Sequence, residues 1–414
     1  MRGFEREHDI KRYFCGDHKR CFVMPKGCTV FAQIMSLIPR SLFNRCVAHY
    51  NGDYRIRNFS CYNQFLVMCL AQFANKNSLR DIEASLTAVS HKLYHSGISY
   101  AVPRNTLARA NELRDWHIYA DFGRELMDKV RALYADDPFR LDLDNAVYAF
   151  DSSTISLCMK LCPWAKFRKK KAGIKLHAQL DLRGNIPAFI LLTEASMHDV
   201  RALDELCVEM GAIYILDKGY VDFFRLFNRI HQNGAFFVTR AKEKNIQYEV
   251  IRSRPVDRST GVCADEIIKL SGHRTSKFYP EELRLVTYED FATGIVYHFL
   301  TNHMGYEALT IAELYRERWQ VELFFKWIKQ HLHIKTFYGT SQNAVYTQIW
   351  IAICAFLLIA LAKKKWHLEQ SLYTITQTIG FVLFEEVPMN QLFNKSKKLN
   401  LELPYPNLFS INES

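Results

Sequence analysis

The run NAVYAFD, Asn145–Asp151, marks where the chain changes period. Before it, from Val30 to about Arg140, apolar residues recur at i, i+3, i+4 and i+7 in FLVMCLAQFA, LRDIEASLTAV and TLARANELRDWHIYADFGRELMDKVRALY. That spacing gives a helix one apolar face. Asn77 and Ser78 stand where a cap is wanted before the second run, and Pro103 precedes the third. NAVYAF itself is a short β-prone run that stops at Asp151, and IKLHAQLDL and IPAFILLTE follow as two further strands across the turn Arg183-Gly184-Asn185. VRALDELCVEM then predicts a helix, AIYIL a buried strand ending at Asp217, VDFFRLFNRIHQ a helix and AFFVTR a strand.

Three antiparallel strands feeding into strand and helix alternation, β-β-β-α-β-α-β, is the order of an RNase H-like α/β domain with a mixed sheet. The expected organisation is a tail over 1–28, an all-helical N-terminal domain over 29–140, an RNase H-like core over 141–350 and a C-terminal helical region over 351–414. A β-rich insertion over 241–308 interrupts the core, with EVIRSRP, LRLVTYED and GIVYHFLTN as its clearest strands. One run, IWIAICAFLLIALA at 349–362, is apolar enough to raise a membrane span. It falls short of the ~20 residues a bilayer needs, so a buried core helix is the expectation, with Lys363, Lys364 and Lys365 at the negative end of its dipole.

Composition is that of a globular protein, with 49% hydrophobic and 23% charged residues. The charge balance is basic: 54 Lys and Arg oppose 43 Asp and Glu, a formal net charge of +11, which favours a polyanionic partner. Eleven scattered cysteines, many in apolar runs, argue against a disulfide framework and for a reducing cytoplasm. The charged first twenty residues lack the apolar run of a secretory leader. His8, Cys15, His18, Cys21 and Cys28 contain no CxxC pair, so a basic tail is preferred there over a zinc site.

Asp151 and Asp217 close strands that are neighbours in an RNase H-like sheet, so their carboxylates are expected side by side. A third comes from YRERWQVELFFKWIK, Tyr315–Lys329. Read as one helix, this stretch places Tyr315, Arg318, Glu322, Lys326 and Lys329 on one face within roughly 80° of arc, leaving Trp319, Phe324 and Trp327 to pack on a sheet. Taken alone, that face is a solvated charge stripe. Beside two aspartates it becomes a candidate site, because three converging carboxylates repel one another unless a cation joins them. Hard oxygen ligands suit Mg²⁺ or Mn²⁺, and a pair of such ions activates both oxygens in phosphodiester displacement.

Asp151 in AFDSSTI, Asp217 in LDKGY and the pattern Y-x2-R-x3-E-x6-K, filled by Tyr315, Arg318, Glu322 and Lys329, resemble the signatures of DDE transposases of the IS-four (insertion sequence four) family. The resemblance extends over about residues 30 to 360. It implies a dimeric enzyme that binds transposon-end DNA, cuts it and joins the freed 3′-hydroxyl to target DNA, with Asp151, Asp217 and Glu322 as metal ligands. It further implies that Tyr315, Arg318 and Lys329 contact the phosphate backbone near the cut, and that the N-terminal helical domain, with Arg55, Arg57, Arg80, Arg104 and Arg109, recognises the terminal repeats. Some relatives use a tryptophan of the β insertion to stack a flipped base while cutting through a hairpin. Residues 241–308 contain no Trp, leaving Tyr248, Phe278, Tyr279 or Tyr297 for that task.

Outside the signatures, KFRKKKAGIK gathers Lys166, Arg168, Lys169, Lys170, Lys171 and Lys175 in an expected phosphate-contacting loop. Lys326 joins the DNA-contacting candidates. His198 and Asp199 follow the third strand and are read at most as outlying neighbours of the metals, with a helix start the preferred role of Asp199. Three rival readings remain: a nuclease without strand transfer, a DNA-binding descendant that no longer cuts, and a glycosidase using paired carboxylates.

Overall fold

The computed structural model describes residues 28–241, 246–331 and 337–394. The tail with its Cys/His set, apart from Cys28, and the residues beyond 394 lie outside the described residues. Ten strands form one sheet: β1 (Val147–Leu157), β2 (Lys166–Arg168), β3 (Lys171–Asp181), β4 (Ile186–Glu194), β5 (Ile213–Leu216), β6 (Phe236–Arg240), β7 (Tyr248–Ser253), β8 (Val262–Leu270), β9 (Leu283–Asp290) and β10 (Ile295–Thr301). The order β4-β3-β1-β5-β6 is that of an RNase H-like core, with β1, β5 and β6 parallel and β3 antiparallel to its neighbours. The insertion extends the same sheet, because β10 pairs with β6 and leads outward through β9 and β8 to β7.

The period-2 alternation of β1 divides the core. Val147 and Ala149 join the cluster that packs under the N-terminal helices, while Tyr148 and Phe150 join the cluster on the opposite face. On the first face lies the helix Gln342–Lys365, capped by Ser341, whose side chain accepts the Ala344 N–H. It is long and apolar enough to cross a membrane, yet 94% of its apolar window is buried inside the protein, as expected of a core helix. Gly123 of the helix His117–Tyr134 lets the two helices approach: a Cβ there would lie 3.0 Å from the Trp350 ring. Position 350, the expected end of the catalytic core, falls within this helix.

The N-terminal helices Arg40–His49, Cys61–Phe73, Leu79–Ala88 and Arg104–Leu113 follow the predicted pattern, with Ser78 capping the third of these through the Asp81 N–H. The last predicted run divides in two at Arg114, whose backbone is extended. Its buried guanidinium donates to the Ser60 carbonyl and to Gln64 Oε1, both at 2.9 Å, and these bonds fix the break. The helix expected over Val200–Met210 is only a 3₁₀ stretch, Asp199–Glu205; the chain is drawn out beyond it, where the Glu209 N–H donates to the Tyr214 hydroxyl. β8 escaped the pattern because Asp265 and Glu266 interrupt its apolar run. Asp265 is buried and meets Arg284 of β9 in two 2.8 Å bonds, so pairing overrides polarity.

Candidate active site

The register of β1 with β5 matches Phe150 to Leu216, which brings the next residues, Asp151 and Asp217, to the same level on neighbouring strands. β1 does not stop at Asp151. It runs on to Leu157, because β3 offers it partners as far as Ala172. β5 does stop, and Asp217 caps the turn Lys218–Tyr220, its Oδ2 accepting the Gly219 N–H at 3.1 Å. By alternation Asp151 faces the side of Val147 and Ala149, where Val321 and Phe325 of the helix Trp319–His331 pack.

Tyr315–Lys329 is not one helix. The helix Ala308–Arg316 ends in a turn at 317–318 and Trp319–His331 begins anew, with Glu322 in its first turn. No Gly or Pro marks the break; Glu317 is buried there and its Oε1 accepts from Arg140 at 3.0 Å. Tyr315 therefore sits on the earlier helix, its ring 4.9 Å from that of Phe299. Phe324 and Trp327 pack on Phe356 of the core helix rather than on the sheet, at 5.3 and 4.7 Å, and Trp319 stays 37% exposed.

Arg318, in the turn, is the joint of the site. Its Nη1 lies 3.2 Å from Asp151 Oδ2 and its Nη2 2.6 Å from Glu322 Oε1. Asp151 Oδ1 accepts the Ser152 N–H at 2.7 Å. Burial pushes the Asp151 carboxyl up to about 6, with the charges of Asp217 and Glu322 adding to the rise and the Ser152 N–H and Arg318 opposing it. Among the described residues no three Asp, Glu, His or Cys side chains are gathered closely enough to hold a metal ion. The expected convergence is therefore partial: two carboxylates meet through a guanidinium and the third stands one strand away. The donor chemistry still fits a hard divalent ion, since all three groups offer oxygen and the space between Asp151 and Glu322 already accommodates a positive group.

Lys326 is exposed and Lys329 half-buried, further along the same helix. The basic run is a hairpin rather than a loop: Lys166 and Arg168 lie in β2, Lys169 and Lys170 form the turn and Lys171 opens β3, all five exposed. Asp151 is level with Ala178, seven residues along β3 from Lys171, which separates the turn from the carboxylates by roughly 23 Å. Lys175 is not part of that surface. Its Nζ is tied to Asp199 Oδ1 at 3.0 Å and to the Met197 carbonyl at 2.6 Å. The same Asp199 oxygen accepts the Ser152 hydroxyl at 2.7 Å, so the residue after Asp151 is anchored from the opposite face of the sheet.

Of the aromatic candidates in the insertion, Tyr279 is fully buried, with its hydroxyl 2.5 Å from His231 Nδ1, and it offers no ring for a base. Tyr248 and Phe278 are exposed at 40% and 43%. The Arg240 guanidinium lies 5.2 Å over the Tyr297 ring, and its strand position follows Thr239, the partner of Leu216. Sequence pattern missed Arg240 as a neighbour of the site, and although it named Asp199 near the metals it missed the links from Asp199 to Lys175 and Ser152. A strand-end arginine and a lysine inside a basic run carry no signal of which group they face. Arg55, Arg57, Arg80, Arg104 and Arg109 are all exposed: Arg55 and Arg57 lie in the connection between the helices Arg40–His49 and Cys61–Phe73, and the other three lie on helices, with Arg104 4.0 Å from Glu83.

A family model described as the transposase DDE domain matches residues 143–358, and a domain of unknown function matches residues 26–99. The chain is 36% identical over 239 residues to a Sinorhizobium fredii protein named as a transposase, covering 57% of this chain and 66% of that one. It is 28% identical to a Geobacillus stearothermophilus protein named as the transposase of an insertion sequence element, covering 56% and 60%. A Synechocystis protein named in the same way is 25% identical, covering 62% and 71%. The chain thus aligns with less than two thirds of the length of the first two relatives. Among solved structures, the piggyBac transposase synaptic complex with hairpin DNA matches with a TM-score of 0.45 and 13% identity, over 92% of this chain and 86% of that one.

Proposed function

We propose, for a chain that belongs to the transposase DDE domain family, that it binds the terminal inverted repeats of an insertion sequence, cleaves the DNA ends and transfers the 3′-hydroxyl ends to target DNA. The observation that carries this reading is the meeting of Asp151 from β1 with Glu322 from the packed helix through Arg318, level with Asp217 on the adjacent strand. Asp151, Asp217 and Glu322 would hold two Mg²⁺ ions, for which Mn²⁺ can substitute. Such ions polarise the scissile phosphate and activate the attacking oxygen.

The chain's own residues do the remaining work. Arg318, Lys326 and Lys329 neutralise phosphates beside the cut, and Tyr315 supports Arg318, whose guanidinium lies 5.6 Å over its ring. Arg168, Lys169, Lys170 and Lys171 hold the duplex at a distance from the chemistry, and that reach supports a grip on DNA flanking the cut. The exposed arginines of the N-terminal helical domain take the terminal repeats. The enzyme acts as a homodimer on its DNA in the cytoplasm, without a membrane partner.

The test is a nicking and strand-transfer assay on a duplex ending in the element's own inverted repeat, with Mg²⁺ or Mn²⁺. Products from the intact protein that vanish with Glu322→Gln, while end binding persists, support the reading. End binding without products would point to a retired transposase, and cleavage without joining to a nuclease.

A further inference from the structure

Arg318 holds the position in which the proposed function needs a metal. One guanidinium spans Asp151 Oδ2 and Glu322 Oε1, at 3.2 and 2.6 Å. The side chain is only 17% exposed and its Nε is buried without a hydrogen-bond partner. A guanidinium withdrawn from water to this degree is held by the charges it bridges, and its planar fork suits carboxylate and phosphate oxygens alike. A divalent ion bound between the same carboxylates would draw on the same oxygens, so the two cations exclude each other.

Arg318 also sits where it can move. It lies in the turn at 317–318 between the helices Ala308–Arg316 and Trp319–His331, and once its two ion pairs are released its side-chain torsions can turn it away with no change of backbone. The group able to draw it away is a DNA phosphate, which accepts the same two-point bond and carries its own negative charge.

We propose that Arg318 is a place-holding cation, lodged between Asp151 and Glu322 in the DNA-free protein and passed to a backbone phosphate when DNA binds, so that divalent-ion binding is coupled to DNA binding. The inference rests on the reading of Asp151, Asp217 and Glu322 as metal ligands. Linkage makes the coupling reciprocal: DNA tightens the metal and the metal tightens DNA by one factor. The consequence for function is restraint. A protein not seated on DNA loads its site less readily, and stray hydrolysis is reduced without any lid.

The experiment is Mn²⁺ titration followed by electron paramagnetic resonance, which reads free Mn²⁺ without needing activity. It uses the full chain with and without a terminal-repeat duplex. Without DNA, Arg318→Gln is expected to bind Mn²⁺ about tenfold more tightly than the unaltered protein, within the usual range of such couplings. The duplex should tighten Mn²⁺ binding to the unaltered protein and leave that of Arg318→Gln nearly unchanged. Arg318→Lys keeps the charge but cannot span two carboxylates; it should shift in the same direction and serves if Arg318→Gln does not fold. Equal or weaker Mn²⁺ binding by the folded variant without DNA would overturn the proposal. The double change Asp151→Asn with Arg318→Gln separates the two ideas: if Mn²⁺ binding survives it undiminished, the carboxylates are not the metal site and the functional reading itself fails.

Discussion

At the scale of single residues, the site combines groups whose properties come from their neighbours. Asp151 is an ordinary aspartate made harder to ionise by burial, and Arg318 is an ordinary arginine held by two acids. A similar dependence governs His303, whose ring is pushed down to about 4, chiefly by burial and then by the charge of Arg284. Its Nδ1 accepts the N–H groups of Gly305 and Tyr306 at 3.3 and 3.2 Å, which requires that nitrogen unprotonated. The folded protein thus keeps the ring neutral while the unfolded chain takes up a proton near 6.5, so stability falls as pH drops from about 6.5 to 4 and this contribution is exhausted below 4. His303→Asn, which retains an acceptor without titrating, should flatten the melting temperature over that window relative to the unaltered protein. An unchanged slope in a pH series of thermal melts would remove His303 from the account.

At the scale of elements, the β2–β3 hairpin is an exposed basic arm and the β8–β9 pair is held by a buried ion pair. Replacing Lys169 or Lys170 with Ala should weaken DNA binding without altering sequence preference, and lower the salt dependence of the affinity by about one counterion each. Fluorescence anisotropy across a salt series measures this; an unchanged slope would leave the arm a solvated turn. Arg284 and Asp265 are 1% and 5% exposed, so Arg284→Met strands a buried carboxylate. Chemical denaturation should register a loss of about 3–5 kcal/mol.

At the scale of the whole molecule, the Gln342–Lys365 helix ties the N-terminal helices to the sheet that carries the candidate site. Tyr134 donates to the Ala360 carbonyl at 2.9 Å, Gly123 closes on Trp350, and Trp327 packs on Phe356 from the side of the candidate site. Trp350→Ala opens a cavity between these layers and should cost about 3–5 kcal/mol. Because one core joins the layers, far-ultraviolet circular dichroism and tryptophan fluorescence should report a single shifted transition. Two separated transitions would mean that the helical region and the sheet unfold independently.

The fold class, the succession of the main core strands along the chain and the buried character of the apolar run at 349–362 were legible in the sequence, which also named the candidate carboxylates. These depend on periodicity and on residue types whose chemistry is local. The tertiary structure alone decided that Arg318 bridges Asp151 and Glu322, that Lys175 leaves the basic surface to hold Asp199, that the helix of Glu322 starts afresh after Tyr315, and that β8 is a strand despite its acids. Each of these follows from a charge finding its partner across elements distant in sequence. A pattern along the chain shows which groups carry charge, and only the packed arrangement shows which opposite charge each one meets.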